Sequence, residues 1–232
     1  GEVDLSASTA GGPYTITYTT AGTCPNSTTF DLTIDPEDDP AFSYAAASFC
    51  QSEANPLPTI TGTAGGSFSA AAGVSINAST GEVDLTSSTA GGPYTITYTT
   101  AGTCPNATTF NVSIVAEDDP AFSYAVSNFC QGDTDPLPSI TGTAGGSFSA
   151  VAGVSINAST GEVDLSASTA GGPYTITYTT AGTCPNSSTF DLTIDPEDDP
   201  SFSYASTSFC QSEANPLPTI TGTAGGSFSA AA

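Results

Sequence analysis

The sequence predicts an all-β fold: tandem β-sandwich repeats of 80 residues, about seven short strands each, in an elongated array. Three observations predict it: an exact internal period, apolar/polar alternation at period two, and turn residues every 8–12 positions with no helical periodicity. The period comes first. GEVDL begins at Gly1, Gly81 and Gly161, AGTCPN at Ala21, Ala101 and Ala181, and EDDP at Glu37, Glu117 and Glu197. Between residues 1–72 and 161–232, 68 of 72 positions match, so each unit does the same job.

The strands follow in order. Phe42-Ser43-Tyr44 opens the unit, and Thr59-Ile60-Thr61 follows the break at Pro56 and Pro58. Ser67-Phe68-Ser69 comes after Gly65-Gly66. Val74-Ser75-Ile76 and Val83-Asp84-Leu85 flank the turn NASTG and read as a hairpin. Tyr94–Tyr98 and Phe110–Ile114 alternate strictly, and the Gly/Pro/Asn turn AGTCPN between them predicts a second hairpin. Tyr14, Tyr94 and Tyr174 each follow Gly-Gly-Pro at a strand start, the placement of a tyrosine corner.

Domain boundaries are expected at the densest charge cluster, EDDP, because acidic side chains around a proline suit a solvated connector. This gives complete repeats at 37–116 and 117–196, the C-terminal half of a repeat at 1–36, and the N-terminal half of the next at 197–232. No initiating Met and no signal-like segment are present, which reads as a mature piece of a longer chain.

Composition excludes several function classes. The 23 acidic residues face no Lys, Arg or His, a formal charge of −23 that repels nucleic acid and anionic membrane surfaces. Without imidazole, amine or guanidinium, the usual general bases, Schiff-base nucleophiles and phosphate clamps are missing, so no enzyme is expected. Carboxylate pairs alone could serve a glycosidase, but the acids cluster at linkers rather than in a cleft. No apolar run is long enough to span a bilayer. The 38% hydrophobic content suffices for small cores.

Six cysteines without His or CxxC argue for disulfides and an extracellular compartment. They stand at Cys24, Cys50, Cys104, Cys130, Cys184 and Cys210, with separations alternating between 26 and 54 residues. Loop entropy separates the two periodic pairings poorly, at about 3.6 against about 4.2 kcal/mol. Cys24 precedes the last strand of its unit, which carries the chain roughly 25–30 Å onward to the linker. Pairing it with Cys50 would therefore need the next domain to fold back. The expected bonds are Cys50–Cys104 and Cys130–Cys184, with Cys210 brought towards Cys24 of a following copy. They act either as clasps against strand peeling or as plain fold staples.

The linker acids Glu37, Asp38, Asp39, Glu117, Asp118, Asp119, Glu197, Asp198 and Asp199 form a candidate calcium site, with Asp84 and Asp164 as further oxygen donors. Against it, consecutive residues of an extended chain point to opposite faces, which suits a solvated linker. The Thr row of Tyr14–Thr19 is either an ice- or glycan-binding face or ordinary strand surface. Sequons stand at Asn26, Asn77, Asn106, Asn111, Asn157 and Asn186.

GVSINASTGEVDLSASTAGGPYTITYTT resembles a stretch of bacterial immunoglobulin-like and cadherin-like surface repeats. The unit FSYAAASFCQSEANPLPTITGTAGGSFSA, with AGTCPN, is similar to tandem repeats of giant secreted proteins of gliding and biofilm-forming Bacteroidota. The resemblance covers all three copies. It implies Ig-like domains in a secreted, cell-surface adhesin or filament. The absence of Lys excludes the Lys–Asn isopeptide crosslinks of some pilins. The expected function is thus a structural stalk or filament whose partners are further copies of the repeat, head to tail. The alternative is a set of glycan-, ice- or surface-binding modules.

Overall fold

In a computed structural model of the chain, residues 1–230 are described. Among them are 20 strands and no helix. The chain divides into two compact units, Gly1–Glu117 and Asp118–Ala232.

The first unit opens with an antiparallel hairpin of β1 (Gly11–Thr19) and β2 (Ser27–Ile34), in which Ile16 faces Phe30. Eight strands follow: β3 (Phe42–Ser43), β4 (Ser48–Cys50), β5 (Thr59–Ile60), β6 (Ser67–Ala70), β7 (Ser75–Ile76), β8 (Val83–Asp84), β9 (Gly91–Thr99) and β10 (Ala107–Val115). Four of them form a sheet in the order β4-β10-β9-β6, while β3 pairs with β5 and β7 with β8. The second unit repeats this: β11 (Phe122–Ser123), β12 (Asn128–Cys130), β13 (Ser139–Ile140), β14 (Ser147–Ala150), β15 (Ser155–Ile156), β16 (Val163–Asp164), β17 (Gly171–Thr179) and β18 (Ser187–Asp195). Its sheet order is β12-β18-β17-β14. It closes with the pair β19 (Phe202–Ser203) and β20 (Thr219–Ile220).

Both hairpins read from the sequence form, β9 with β10 across AGTCPN and β7 with β8 across NASTG. Alternation places Ile96, Tyr98, Val112 and Ile114 inside, while Thr95 faces out. The sheet and both two-stranded ribbons contribute to one core, in which these side chains join Tyr44, Phe49, Phe68, Val83 and Leu85. Burying a side chain of this size stabilises the fold by roughly 1.5–3 kcal/mol. The core of the second unit is built the same way, around Ile176, Tyr178, Leu192 and Ile194.

The buried tyrosines keep their polar tips satisfied. Tyr98 donates its hydroxyl to the carbonyl of Thr63 (2.7 Å) and accepts the Gly66 N–H (3.0 Å). Tyr44 donates to the carbonyl of Gly81. Gly81 must be glycine there: its φ is +74°, and a Cβ would lie 2.6 Å from Pro58 Cγ. The three corner tyrosines behave as their position implies. Tyr14, Tyr94 and Tyr174 donate to the carbonyls of Thr9, Thr89 and Thr169, five residues upstream.

One strand was not legible from periodicity. β4 is a three-residue strand that pairs parallel to β10, with Ser48 opposite Ser113 and Cys50 opposite Val115. It raises the count from the expected seven to eight strands per repeat, and it decides where Cys50 sits.

Candidate functional site at the repeat linkers

The acidic linkers are not simply solvated. In the first unit the chain leaving β2 crosses the turn between β9 and β10. Asp38 donates its N–H to the carbonyl of Cys104 (2.9 Å), and its carboxylate accepts the N–H of Gly102 (2.8 Å). Glu37 accepts from the Asn106 side-chain amide (3.1 Å), and the Cys104 thiol points to the carbonyl of Asp35 (3.8 Å). Asp39 turns the other way. Its carboxylate accepts the N–H of Ala41 (3.0 Å), and its carbonyl accepts that of Thr63 (2.7 Å).

The second unit holds its entry segment with the same bonds. The Asp118 N–H meets the carbonyl of Cys184 (2.9 Å), its carboxylate takes the Gly182 N–H (2.8 Å), and the Asp119 carboxylate takes the Ala121 N–H (3.0 Å). At Asp199 the local part recurs, with its carboxylate on the N–H of Ser201 (2.9 Å).

A different group of residues meets the linker where it leaves a repeat. In the first unit Gln51 donates to the carbonyl of Val115 (3.1 Å), and the N–H of Ser52 to the Glu117 carboxylate (3.0 Å). In the second, Cys130 is the register partner of Asp195, and Gln131 donates to the Asp195 carbonyl (3.0 Å). Cys130, Asp195, Pro196, Glu197 and Asp198 line an open cleft there. The Asp133 carboxylate above all, then desolvation and the charges of Asp195, Asp198 and Glu197, push the Cys130 thiol above its ordinary pKa. A thiol so placed stays protonated, the opposite of a redox nucleophile.

The expected clasps Cys50–Cys104 and Cys130–Cys184 are not formed. Cys24, Cys104, Cys130 and Cys210 are free, whereas Cys50 and Cys184 are disulfide-bonded. The reason lies in β4. Because it runs parallel to β10, Cys50 sits beside Val115 at the end of that strand, and Cys104 precedes its start. Nine residues of strand put roughly 27 Å between the two ends, at about 3.4 Å per step. A disulfide allows at most about 7 Å between Cα atoms. Cys130, opposite Asp195, and Cys184, before Ser187, are separated by β18 in the same way.

The carboxylates proposed for calcium come together along the chain but aim apart. Glu37 addresses Asn106, Asp38 addresses Gly102, and Asp39 addresses Ala41, each occupied by an N–H donor. Asp84 and Asp164 are engaged in local turns, on Thr86 and Ser87 in one case and on Ser166 and Ala167 in the other. The bond from Ser87 foremost holds Asp84 below the usual carboxylate range, and the Ala167 N–H does so for Asp164. In the outward Thr row, Thr15, Thr95 and Thr175 donate across the strand pair to Asp31, Asn111 and Asp191. Gly102, Asn106 and Ser52 are the contributors that motif reading missed. For Gly102 and Asn106 the only signal was that AGTCPN stands unchanged in all three copies; Ser52, replaced by Gly132 in the next copy, gave none.

No family model matches the chain, and no curated protein is similar to it. Solved structures with a similar course include mouse cadherin-23 EC22-24, at 16% identity and a TM-score of 0.33, covering 79% of this chain and 73% of that one. Protocadherin gamma B2 cadherin domains 3-6 match at 15% identity and 0.32, covering 80% and 59%. Mouse clustered PcdhgC3 EC1-3 matches at 11% and 0.32, covering 85% and 82%. Among the described residues, no helix is long and apolar enough to cross a membrane.

Proposed function

We propose that this chain is a structural repeat region, a stalk or filament segment of an extracellular bacterial adhesin, without catalytic activity. One observation carries the reading: each complete repeat places its cysteines and its densest acidic cluster at its two ends, where the chain enters and leaves, rather than in a cleft. An enzyme or a lectin concentrates chemistry in a concave site. A load-bearing element concentrates it at its joints. The disulfide-bonded Cys50 and Cys184 suit an oxidising, extracellular setting. The bacterial surface origin rests on the resemblance of the repeat motifs.

The proposed partners are further copies of the same repeat. Repeat-equivalent residues differ sharply in exposure: Tyr18 is 68% exposed where Tyr98 is fully buried, and Phe30 is 71% exposed where Phe110 packs on Phe42 and Tyr44. In the complete repeat the residues equivalent to that pair are covered by Phe42, Tyr44, Phe49 and Phe68. Probing a glycan array with the chain tests the function. A stalk binds no glycan class, and saturable binding to one class would replace this reading with the binding-module alternative.

A further inference from the structure

Six Asn-X-Ser/Thr triplets occur in the chain, and the fold divides them into two kinds. Asn26, Asn106 and Asn186 stand directly before β2, β10 and β18, and Asn111 lies within β10. The hydroxyl residues of the first three are built into the ladders: Thr28, Thr108 and Ser188 pair with Tyr18, Tyr98 and Tyr178. Their Asn side chains fold back on the same strand, each accepting the N–H of the next residue, Ser27, Ala107 or Ser187 (2.9, 2.8 and 2.8 Å). Contacts with the entry linker add to this: the Asn106 amide donates to Glu37, and Ser188 donates to the carbonyl of Pro120 (2.6 Å). At Asn111 the Oδ1 accepts from Thr95, and the middle residue of the triplet, Val112, is 1% exposed.

Asn77 and Asn157 are the other kind. Each opens the NASTG turn, between β7 and β8 or between β15 and β16, and all three residues of each triplet are exposed. The Asn77 Oδ1 accepts the N–H groups of Ser79 (3.0 Å) and Thr80 (3.2 Å), and the Asn157 Oδ1 does the same with Ser159 and Thr160. The turn thus uses the oxygen of the amide, and among the described residues the Nδ2 donates to no acceptor. Outside its hairpin the turn is tied through the Ala78 carbonyl, which accepts the Phe68 N–H (2.8 Å), as Ala158 does from Phe148. Freeing that tie presents the tripeptide to an enzyme. Freeing a strand triplet instead opens the ladder of the main sheet and uncovers the core beneath it.

We propose that Asn77 and Asn157 are N-glycan attachment sites of the folded repeat, and that placement in strands silences the other four triplets. The chemistry needs an amide nitrogen with a hydroxyl residue two positions on, in an accessible surface segment. The NASTG turn supplies that in each complete repeat. The co-substrate is an oligosaccharide carried on a polyprenyl diphosphate. The Asn Nδ2 bonds to the anomeric carbon of the sugar as the bond from that carbon to the diphosphate breaks. The diphosphate leaves with the electron pair, and one amide proton passes to a base of the transferase. Because Asn77 and Asn157 are one period of 80 apart (157 − 77), each complete repeat carries one glycan on the same hairpin.

Incubating the folded chain with an oligosaccharyltransferase specific for the triplet and with this donor, then cleaving after Glu, tests the assignment. Peptides 54–82 and 118–162 carry Asn77 and Asn157, while 3–37, 83–117 and 163–197 carry the strand triplets. Glycan is expected on the first two alone. The same five peptides, separated and offered as substrates, should all accept it. Free peptides that keep the selectivity would show the choice to lie in the sequence, which rejects the role given to the fold. Glycan on 83–117 or 163–197 of the folded chain, at the level of 54–82, would overturn the proposal. So would a folded chain with 54–82 and 118–162 left bare, whatever the free peptides do. Ser79→Ala and Ser159→Ala keep the N–H that bonds to the Asn and remove only the hydroxyl. Each should abolish the glycan on its own peptide and leave the melting temperature of the unmodified chain unchanged, and a retained glycan would also reject the assignment.

Discussion

Tyr44 donates its hydroxyl to the carbonyl of Gly81, 37 residues away, and Tyr124 does the same to Gly161. The bond ties the segment after β3 to the turn between β7 and β8. Burial raises the pKa of both phenols well above the ordinary value. The folded state therefore holds its proton longer than the unfolded chain. The associated stability is complete below the unfolded value near 10 and declines as pH rises beyond it. Tyr44→Phe leaves a buried carbonyl without this donor and should cost about 1–3 kcal/mol in urea unfolding. It should also flatten the alkaline decline of stability, and an unchanged decline would contradict this assignment.

Ile96 and Ile16 occupy the same place in the repeat, yet Ile96 is fully buried and Ile16 is 44% exposed. Ile96→Ala should cost about 2–5 kcal/mol through lost burial and a residual cavity. Ile16→Ala in the isolated chain should cost under about 1 kcal/mol. Equal losses in denaturant unfolding would mean that β1 and β2 are covered in the monomer.

The Asp38–Gly102 contact leaves no room for a side chain: a Cβ on Gly102 would lie 2.3 Å from the Asp38 carboxylate. Gly102→Ala should expel the carboxylate, losing a charge-assisted hydrogen bond of about 1.5–3 kcal/mol. Amide exchange at Asp38 should accelerate while that at Ile96 is little changed. Uniform acceleration would show the clamp to be part of the core.

Exposed Tyr18 and Phe30 in the first unit, and Phe202 and Phe228 in the second, predict association that grows with concentration. Sedimentation velocity should show larger species as concentration rises, and Tyr18→Ser with Phe30→Ser should suppress them. Association unaffected by that double change would place the contact elsewhere.

Chelator and millimolar calcium should leave the melting temperature unchanged, since Glu37, Asp38 and Asp39 each already accept an N–H and aim apart. A calcium-dependent rise of several degrees would show that these carboxylates reorganise around an ion.

What the sequence determined by itself is what short-range periodicity encodes. Alternation at period two put Ile96, Tyr98, Val112 and Ile114 on one face, and Gly, Pro and Asn marked the two hairpin turns, because strand pleat and turn conformation are local constraints. What the tertiary structure alone decided is which elements lie side by side. Ser48-Phe49-Cys50 is too short to signal a strand, and its parallel pairing with β10 depends on a partner more than 60 residues away. That one non-local pairing moved Cys50 to the opposite end of the sheet from Cys104. Likewise Tyr18 and Tyr98 share the same sequence neighbourhood, and only the presence of a covering layer buries one and exposes the other. Burial and cysteine pairing are properties of proximity in space, and an identical local sequence carries no information about which neighbour arrives.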